Sequence, residues 1–131
     1  MQASTLAILI FAHGSRDPLW RAPVEAVAAA VRAQAPGSHV SCAYLELGTP
    51  DLPTAAAQAV EAGATEVRVL PLFFGMGKHA REDLPQLMEQ LRQAHPSVSF
   101  RLLPTAGEQP RLTALLAELA LQVPGTEPSA A

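Results

Sequence analysis

Three polar side chains follow apolar, strand-like segments of the sequence, and their types are those that bind metal ions. His13 comes directly after the apolar run 6–12, Glu46 lies near the end of a second such segment, and His79 follows a third. Imidazole combined with carboxylate favours divalent transition metals, whereas sites built only from oxygen favour Mg²⁺ or Ca²⁺. A neutral imidazole also accepts protons near neutral pH. These residue types therefore predict metal binding or proton transfer.

Four apolar segments predict the strands that must position these side chains. The first and the third are nearly continuous apolar runs, which are typical of strands covered on both faces. The predicted strands span 6–12, 39–47, 66–74 and 98–104. Between them, apolar residues recur with the spacing of amphipathic helices, and we detect no internal repeat.

Proline and aspartate predict where the intervening helices begin. Proline is tolerated in the first helical turn, where its missing N–H would lack a partner in any case. The prolines near the heads of the helical segments are Pro23, Pro53, Pro85 and Pro110. Asp51 and Asp83 each lie two residues before a proline, and we predict both as N-caps. Gly37 and Gly63 are predicted to follow the ends of helices.

The alternation of segments predicts an α/β fold with the order β-α-β-α-β-α-β-α. Right-handed crossovers then give an open, mainly parallel four-stranded sheet with helices on both faces. We expect residues 1–122 to form a single domain and residues 123–131 to form a flexible C-terminal tail. In such folds, ligands bind beyond the carboxyl ends of the strands. His13, Glu46 and His79 should therefore converge on one edge of the sheet.

Each of these three residues also has a simpler structural interpretation. His13 could close its strand through a hydrogen bond to a nearby carbonyl, although Gly14 allows a sharp bend that leaves the ring open to a ligand. His79 could be an exposed residue in a long connection or could face a pocket beneath a glycine-hinged loop. Glu46 would be solvated if its strand ended earlier than predicted. The sequence leaves these alternatives open.

Basic residues concentrate near the same predicted edge, on a chain with a formal net charge of −3. Four of the nine Lys and Arg residues lie close to His13 or His79. They are Arg16, Arg21, Lys78 and Arg81. Such a concentration would attract an anionic ligand, although each residue taken singly could be an ordinary solvated loop charge. Ser15 could hydrogen-bond a ligand or cap a turn.

Composition and missing motifs exclude several other functions. The negative net charge and an aromatic content of 5% argue against binding to nucleic acid. No apolar stretch reaches the roughly 18 residues of a membrane helix. Cys42 is the single cysteine, which excludes an intrachain disulfide and favours a cytoplasmic location. The sequence also lacks a G-x-S-x-G nucleophile elbow and a phosphate-binding glycine loop.

Three motifs, taken in order, resemble those of a known family. The segments HGSRDP, YLEL and PLFFGMGKHAREDLP are similar to those of the sirohydrochlorin chelatases of the short, single-domain CbiX type, within the class II chelatase superfamily. The resemblance covers about residues 6–120. It implies an enzyme, a lyase, that inserts a divalent metal into sirohydrochlorin during cobalamin or siroheme biosynthesis. Co²⁺ is the metal favoured by the resemblance, with Fe²⁺ or Ni²⁺ as alternatives.

The resemblance also assigns roles to individual residues. It implies that His13 and His79 bind the metal and act in catalysis, with Glu46 as a further ligand or a proton acceptor. Because sirohydrochlorin carries carboxylates, we further expect the basic side chains of Arg16, Lys78 and Arg81 to bind the substrate, with Ser15 as a candidate that could hydrogen-bond it or cap a turn.

The resemblance further implies a homodimer without a prosthetic group, since the divalent metal is itself a substrate. The alternative is a non-catalytic carrier of metal or tetrapyrrole with the same fold. A carrier would bind both molecules but would not accelerate their combination.

Overall fold

A computed structural model describes residues 5–122 of the chain. Its strands are β1 (Leu6–Ala12), β2 (His39–Tyr44), β3 (Glu66–Pro71) and β4 (Ser99–Leu102). Its helices are α1 (Pro18–Gln34), α2 (Leu52–Glu61), α3 (Lys78–Ala94) and α4 (Pro110–Leu121), with a short 3₁₀ helix at Ala106–Glu108. The predicted tail, residues 123–131, lies outside the described residues.

The four strands form one parallel sheet in the order β2-β1-β3-β4, which confirms the predicted α/β fold. β1 occupies a central position between β2 and β3, as its continuous apolar sequence predicts. The predicted β2 and β3 segments extended three residues too far at their carboxyl ends. These extra residues include apolar side chains that belong to connecting loops, which the apolar pattern does not distinguish from a strand.

Alternate residues of β1 supply two separate hydrophobic cores. Leu9 and Phe11 are buried on the face that α2 and α3 cover. Ile10 and Ala12 are buried on the opposite face, against α1. The side-chain period of a strand is two residues, so one apolar strand supplies both layers. α4 differs from the other helices because none of its residues is buried.

Two of the helices begin earlier than predicted. α1 starts at Pro18, where the side chain of Asp17 accepts a hydrogen bond from the Leu19 N–H at 2.9 Å. Pro23 therefore lies inside α1. In the same way, α3 starts at Lys78 and contains both Asp83 and Pro85. The predicted N-cap at Asp83 is wrong.

Pro23 and Pro85 are both exposed. The carbonyls that these prolines leave without an amide partner belong to Leu19 and Arg81, which are also exposed residues. This exposure explains why neither proline marks a helix start.

The predicted N-cap of α2 is confirmed. Asp51 accepts a hydrogen bond from the Thr54 N–H at 2.9 Å. Hydrogen bonds from the Thr54 side chain and backbone hold the pKa of this carboxyl below its usual value, because they stabilise the charged form. Gly63 follows α2 with a φ of 99°, a left-handed conformation that favours glycine, as predicted. Gly37 lies in the turn after α1.

The units β1-α1-β2 and β3-α3-β4 follow the same plan. α1 and α3 each contain 17 residues and begin 60 positions apart. Near the end of each helix, an arginine donates to a backbone carbonyl of an edge strand. Arg32 bonds to Val40 at 3.0 Å, and Arg92 bonds to Phe100 at 3.1 Å. The repeat is therefore structural, with the two helices on opposite faces of the sheet.

Candidate functional site

A cavity of about 570 Å³ opens at the carboxyl edge of the sheet, beside α3. His13 and His79 both line it, as the sheet topology predicts. Much of the remaining wall is apolar and comes from β1, from the loops after β2 and β3, and from α3. These apolar side chains are Phe11, Leu45, Phe73, Leu84 and Leu87. The site therefore places two imidazoles in a largely apolar hollow, an arrangement typical of small-molecule sites.

His13 is fixed by its backbone and by the aromatic ring beside it. It follows β1 directly, and the alternation of strand side chains places it on the same face as Phe11. Its carbonyl accepts a hydrogen bond from the Glu46 N–H at 2.9 Å. Its ring centroid lies 4.4 Å from that of Phe73, with the rings tilted by 53°. The imidazole is exposed and can meet a ligand.

Gly14 is required by the turn that follows His13. Its φ is 103°, and a Cβ at this position would collide with the Glu46 carbonyl oxygen. Both the dihedral angle and the close approach of the β2 loop exclude a side chain here. The predicted sharp bend beside the imidazole is confirmed.

His79 approaches the cavity from the first turn of α3. It is the second residue of the helix, and it is exposed. The N-cap, Gly77, contributes no side-chain hydrogen bond. A Cβ added at Gly75 or Gly77 would meet nothing within 4 Å, so neither position is closely packed. The chain just before His79 therefore lacks both a side-chain cap and close packing at these two glycines.

Glu46 lies beyond the end of β2, with an exposed side chain that is not among those lining the cavity. Glu46 contacts the site through its backbone N–H, which donates a hydrogen bond to the His13 carbonyl. The interpretation of Glu46 as a solvated loop residue agrees with this placement. Within residues 5–122, no group of three or more His, Cys, Asp or Glu side chains is arranged to hold a metal ion.

The predicted substrate-binding residues separate into distinct environments. Lys78 lines the cavity, next to His79. Arg16 and Arg81 are exposed and are not among the cavity-lining residues. The Ser15 hydroxyl accepts a hydrogen bond from the Asp17 N–H at 3.1 Å, which supports the turn-capping alternative.

Arg21 does not belong to the cavity edge, although its sequence position placed it there. Its guanidinium lies 5.3 Å from the centre of the Tyr44 ring. Both side chains line a different groove of about 260 Å³, on the α1 side of the sheet. Burial raises the pKa of the Tyr44 hydroxyl above its usual value. Arg21 therefore packs on an aromatic face away from the two histidines.

The sequence interpretation missed the contribution of the loop after β4. Thr105 is the buried polar residue of the described chain, with 2% of its surface exposed. Its hydroxyl lies 3.0 Å from the carbonyl oxygen of Phe73, which lines the cavity. The signal that could have found it was topological, because Thr105 follows the fourth strand at the same edge as His13 and His79.

The model of the CbiX family matches residues 7–123 of the sequence. This chain belongs to the CbiX family. The match includes both cavity histidines and nearly the whole described sheet, and it confirms the resemblance expected from the three motifs.

Several relatives of the CbiX-family chain carry assigned activities. A sirohydrochlorin cobaltochelatase from Sulfolobus acidocaldarius is 30% identical over 124 residues, covering 92% of this chain and 97% of the relative. The corresponding protein of Methanopyrus kandleri is 31% identical, covering 63% of this chain and 58% of its own length. A sirohydrochlorin ferrochelatase from Bacillus subtilis is 34% identical over 70% of this chain and 35% of its own length. The chain thus spans less than two thirds of the latter two relatives.

Solved structures share the fold. A CbiX protein from Marinobacter aquaeolei has a TM-score of 0.76 and 32% identity, covering 88% of this chain and 93% of that chain. The chelatase SirB from Bacillus subtilis subspecies spizizenii, in complex with cobalt, has a TM-score of 0.73 and 25% identity. The match covers 88% of this chain and 50% of SirB.

No helix within residues 5–122 has the length and apolarity needed to cross a membrane.

Proposed function

We propose that this CbiX-family protein is a sirohydrochlorin chelatase, an enzyme that inserts a divalent metal into the macrocycle. The observation that carries the proposal is the pairing of His13 and His79 on one largely apolar cavity. Support comes from the Sulfolobus acidocaldarius relative, a sirohydrochlorin cobaltochelatase matched over 97% of its length. The product would serve cobalamin or siroheme biosynthesis.

The chemistry of metal insertion fits these residues. The reaction exchanges two pyrrole N–H protons for one M²⁺ ion, so the site must hold the metal and accept protons. Neutral imidazoles can perform both tasks, and we assign them to His13 and His79. Apolar walls suit the flat face of a macrocycle and exclude water that would otherwise solvate the metal. Glu46, brought to the edge by its backbone bond to His13, is the proposed supporting ligand or proton acceptor.

Charged residues around the cavity suit an anionic macrocycle. Lys78 lines the cavity and is the best-placed partner for a substrate carboxylate. We keep Arg16, Arg81 and Ser15 as outer contacts, which the longer arginine side chains would make by reaching over the edge. Co²⁺ is the proposed metal, with Fe²⁺ and Ni²⁺ as alternatives, because imidazole and carboxylate accept all three. The protein itself needs no prosthetic group.

A metallation assay with matched histidine variants tests this proposal. His13→Ala and His79→Ala should each lower the rate of Co²⁺ insertion by about 100-fold or more, the contribution typical of a positioned proton acceptor. His95→Ala is the control, because this histidine ends α3 and packs against Phe100. Wild-type rates in both cavity variants would overturn the site. Binding of both substrates without any acceleration would instead identify a carrier.

We propose further that the protein acts as a homodimer, joined through the apolar face of α4. Leu115, Leu116 and Leu119 are 47%, 38% and 54% exposed, at helical spacing along one face. Arg111 and Glu118 lie seven positions apart on the same helix. An antiparallel pair of α4 helices would bury the leucines and bring Arg111 of each copy close to Glu118 of the other. The complementary charges are what favour a second copy as the partner.

Light scattering after size-exclusion chromatography measures this association. Leu115→Glu should shift the protein to monomer, whereas Leu19→Glu, at an 81% exposed leucine of α1, should leave the mass unchanged. Arg111→Glu should weaken the dimer, and Arg111→Glu with Glu118→Arg should restore it. A dimer unaffected by Leu115→Glu contradicts the α4 interface. We place the protein in the reducing cytoplasm, where Cys42 remains a free thiol.

A further inference from the structure

The loop after β4 is tied to the loop after β3 at a single carbonyl group. The Phe73 oxygen accepts a hydrogen bond from the Thr105 hydroxyl at 3.0 Å and another from the Gly107 N–H at 2.9 Å. The Thr105 hydroxyl also lies 3.4 Å from the Pro71 oxygen, at the end of β3. Thr105 is buried, so water does not compete for these bonds. These hydrogen bonds therefore fix the backbone of Phe73 to the loop after β4.

Close backbone packing strengthens this link. A Cβ on Gly107 would collide with the backbone of Phe74, including its carbonyl oxygen. The 3₁₀ helix at Ala106–Glu108 therefore lies directly against the loop that carries the two phenylalanines. The sequence TAG, residues 105–107, combines a small hydroxyl with a residue that has no side chain. This combination permits both hydrogen bonds and the close approach.

The Phe73 ring links the position of the Phe73 backbone to the cavity, because it contacts two other rings there. Phe73 is only 3% exposed, and its ring contacts the Phe11 ring edge-on at a centroid distance of 5.7 Å. Its centroid also lies 4.4 Å from that of the His13 imidazole. His13 has an exposed side chain with few restraints of its own, so a fixed aromatic neighbour limits the orientations of its ring. Rings at such distances prefer a small set of mutual arrangements.

We infer that Thr105 is a positioning residue for His13, acting through the carbonyl and the ring of Phe73. Loss of the hydroxyl would remove one of the two hydrogen bonds to the Phe73 carbonyl, loosen the Phe73 backbone and widen the distribution of imidazole orientations. The consequence for metal handling rests on the proposed function of His13 as a ligand. Groups that orient a ligand from outside the coordination sphere commonly affect metal affinity or activity by about tenfold or more.

Three variants separate a positioning role from general support of the fold. Thr105→Val removes the hydroxyl and keeps the shape, whereas Thr105→Ser keeps the hydroxyl. Thr113→Val is the matched control, because Thr113 also bonds to a backbone carbonyl, that of Gln109 at the start of α4, at 3.3 Å. Gly107→Ala is a second way to displace Phe73, should Thr105→Val fold poorly. Each variant is compared with wild type in the full chain.

The first readout is the NMR signal of the His13 ring in the metal-free protein, assigned as the signal lost in His13→Ala. The Phe73 ring shifts this signal, so Thr105→Val should move or broaden it. Thr105→Ser should restore it, and Thr113→Val should leave it unchanged. The second readout is Co²⁺ affinity, which Thr105→Val should weaken by about tenfold. The apparent KM for sirohydrochlorin should change less than kcat.

The two readouts keep this inference separate from the proposed function. If Thr105→Val lowers the melting temperature but leaves the His13 signal and Co²⁺ affinity at wild-type values, the positioning role is refuted. If His13→Ala itself binds Co²⁺ as wild type does, the proposed metal site fails. In that case, the His13 signal still decides whether Thr105 orients the ring.

Discussion

The two β-α-β units of this chain share a plan but hold their loops in different ways. In each unit, a 17-residue helix returns the chain to an edge strand, and an arginine of the helix bonds to a carbonyl of that strand. Five residues connect β1 to α1, whereas six connect β3 to α3. The first connection ends in a side-chain cap at Asp17, and the second ends in Gly77 without one.

This difference matters for the two histidines. His13 lies in the shorter connection, with its carbonyl bonded to the β2 loop and its ring beside Phe73. His79 lies just after the longer, glycine-containing connection. The first unit thus supplies an imidazole whose backbone is bonded to a neighbouring loop, and the second supplies an imidazole on a helix end without a side-chain cap. For the proposed insertion of a metal into a macrocycle, this arrangement would give the site one restrained and one adaptable side.

The largest effect is expected at the turn of the first unit. Gly14→Ala should lower the free energy of unfolding by about 3 kcal/mol, the upper end of the cost of an unfavourable backbone dihedral. The strain arises from the φ of 103° and from collision with the Glu46 carbonyl. Urea denaturation measures it. Gly63→Ala is the control, because its φ is 99° but nothing lies near its Cβ, so it should cost clearly less. Equal losses would show that the close approach at Gly14 is unimportant.

Removing the equivalent arginine from each of the two units should lower the free energy of unfolding by similar amounts. Arg32→Met and Arg92→Met each remove a hydrogen bond to an edge-strand carbonyl but retain an apolar stem, and each should cost about 1 kcal/mol. Thermal or urea unfolding would compare them with Arg101→Met, an exposed side chain of β4, which should change stability little. A large cost for one arginine and none for the other would argue that the two edges are not built alike.

The caps provide the next contrast. Asp17→Ala should cost about 1 kcal/mol, because it removes the side-chain acceptor at the N-terminus of α1. Asp83→Ala should have little effect, since Asp83 lies inside α3 with an exposed side chain. Urea midpoints of the two variants decide this comparison. If Asp83→Ala lowers the free energy of unfolding as much as Asp17→Ala does, Asp83 acts as a helix cap, as the sequence predicted.

The smallest effect is a gain. Gly77→Ser should stabilise the protein by about 0.5 kcal/mol, because its φ of −68° suits any residue and serine is a favourable N-cap. Hydrogen exchange in the first turn of α3 should slow at the same time. If the adaptable second side serves insertion, kcat should fall although His79 is retained. If the variant is measurably more stable but kcat is unchanged, flexibility of this loop does not contribute to the reaction rate.

Much of the fold was predictable because apolar periodicity reports burial directly. The continuous run of β1 predicted a central strand, and the topology of a parallel sheet brought His13 and His79 to one cavity. The helix starts were harder to predict. Pro23 and Pro85 resembled first-turn prolines, yet both lie within helices at exposed positions.

The placement of individual side chains at the edge was predicted less well. Arg21 was expected near the histidines but packs on Tyr44 on the opposite face of the sheet, whereas Glu46 reaches the His13 carbonyl through its backbone N–H and leaves its side chain exposed. Chain proximity to a strand end does not fix the face on which a side chain lies. That face depends on where the strand stops, and here β2 stopped three residues short of its predicted end.

The sequence by itself determined the class of fold, the order of elements and the two histidines at the carboxyl edge of the sheet, because periodicity and residue chemistry are local properties. Only the tertiary structure decided that Thr105 and Gly107, more than 90 positions from His13, bond to the backbone carbonyl of Phe73, whose ring lies beside His13. The physical reason is that such contacts arise between loops far apart in the chain. Hydrogen bonds and ring packing between these loops depend on distances that no local pattern encodes.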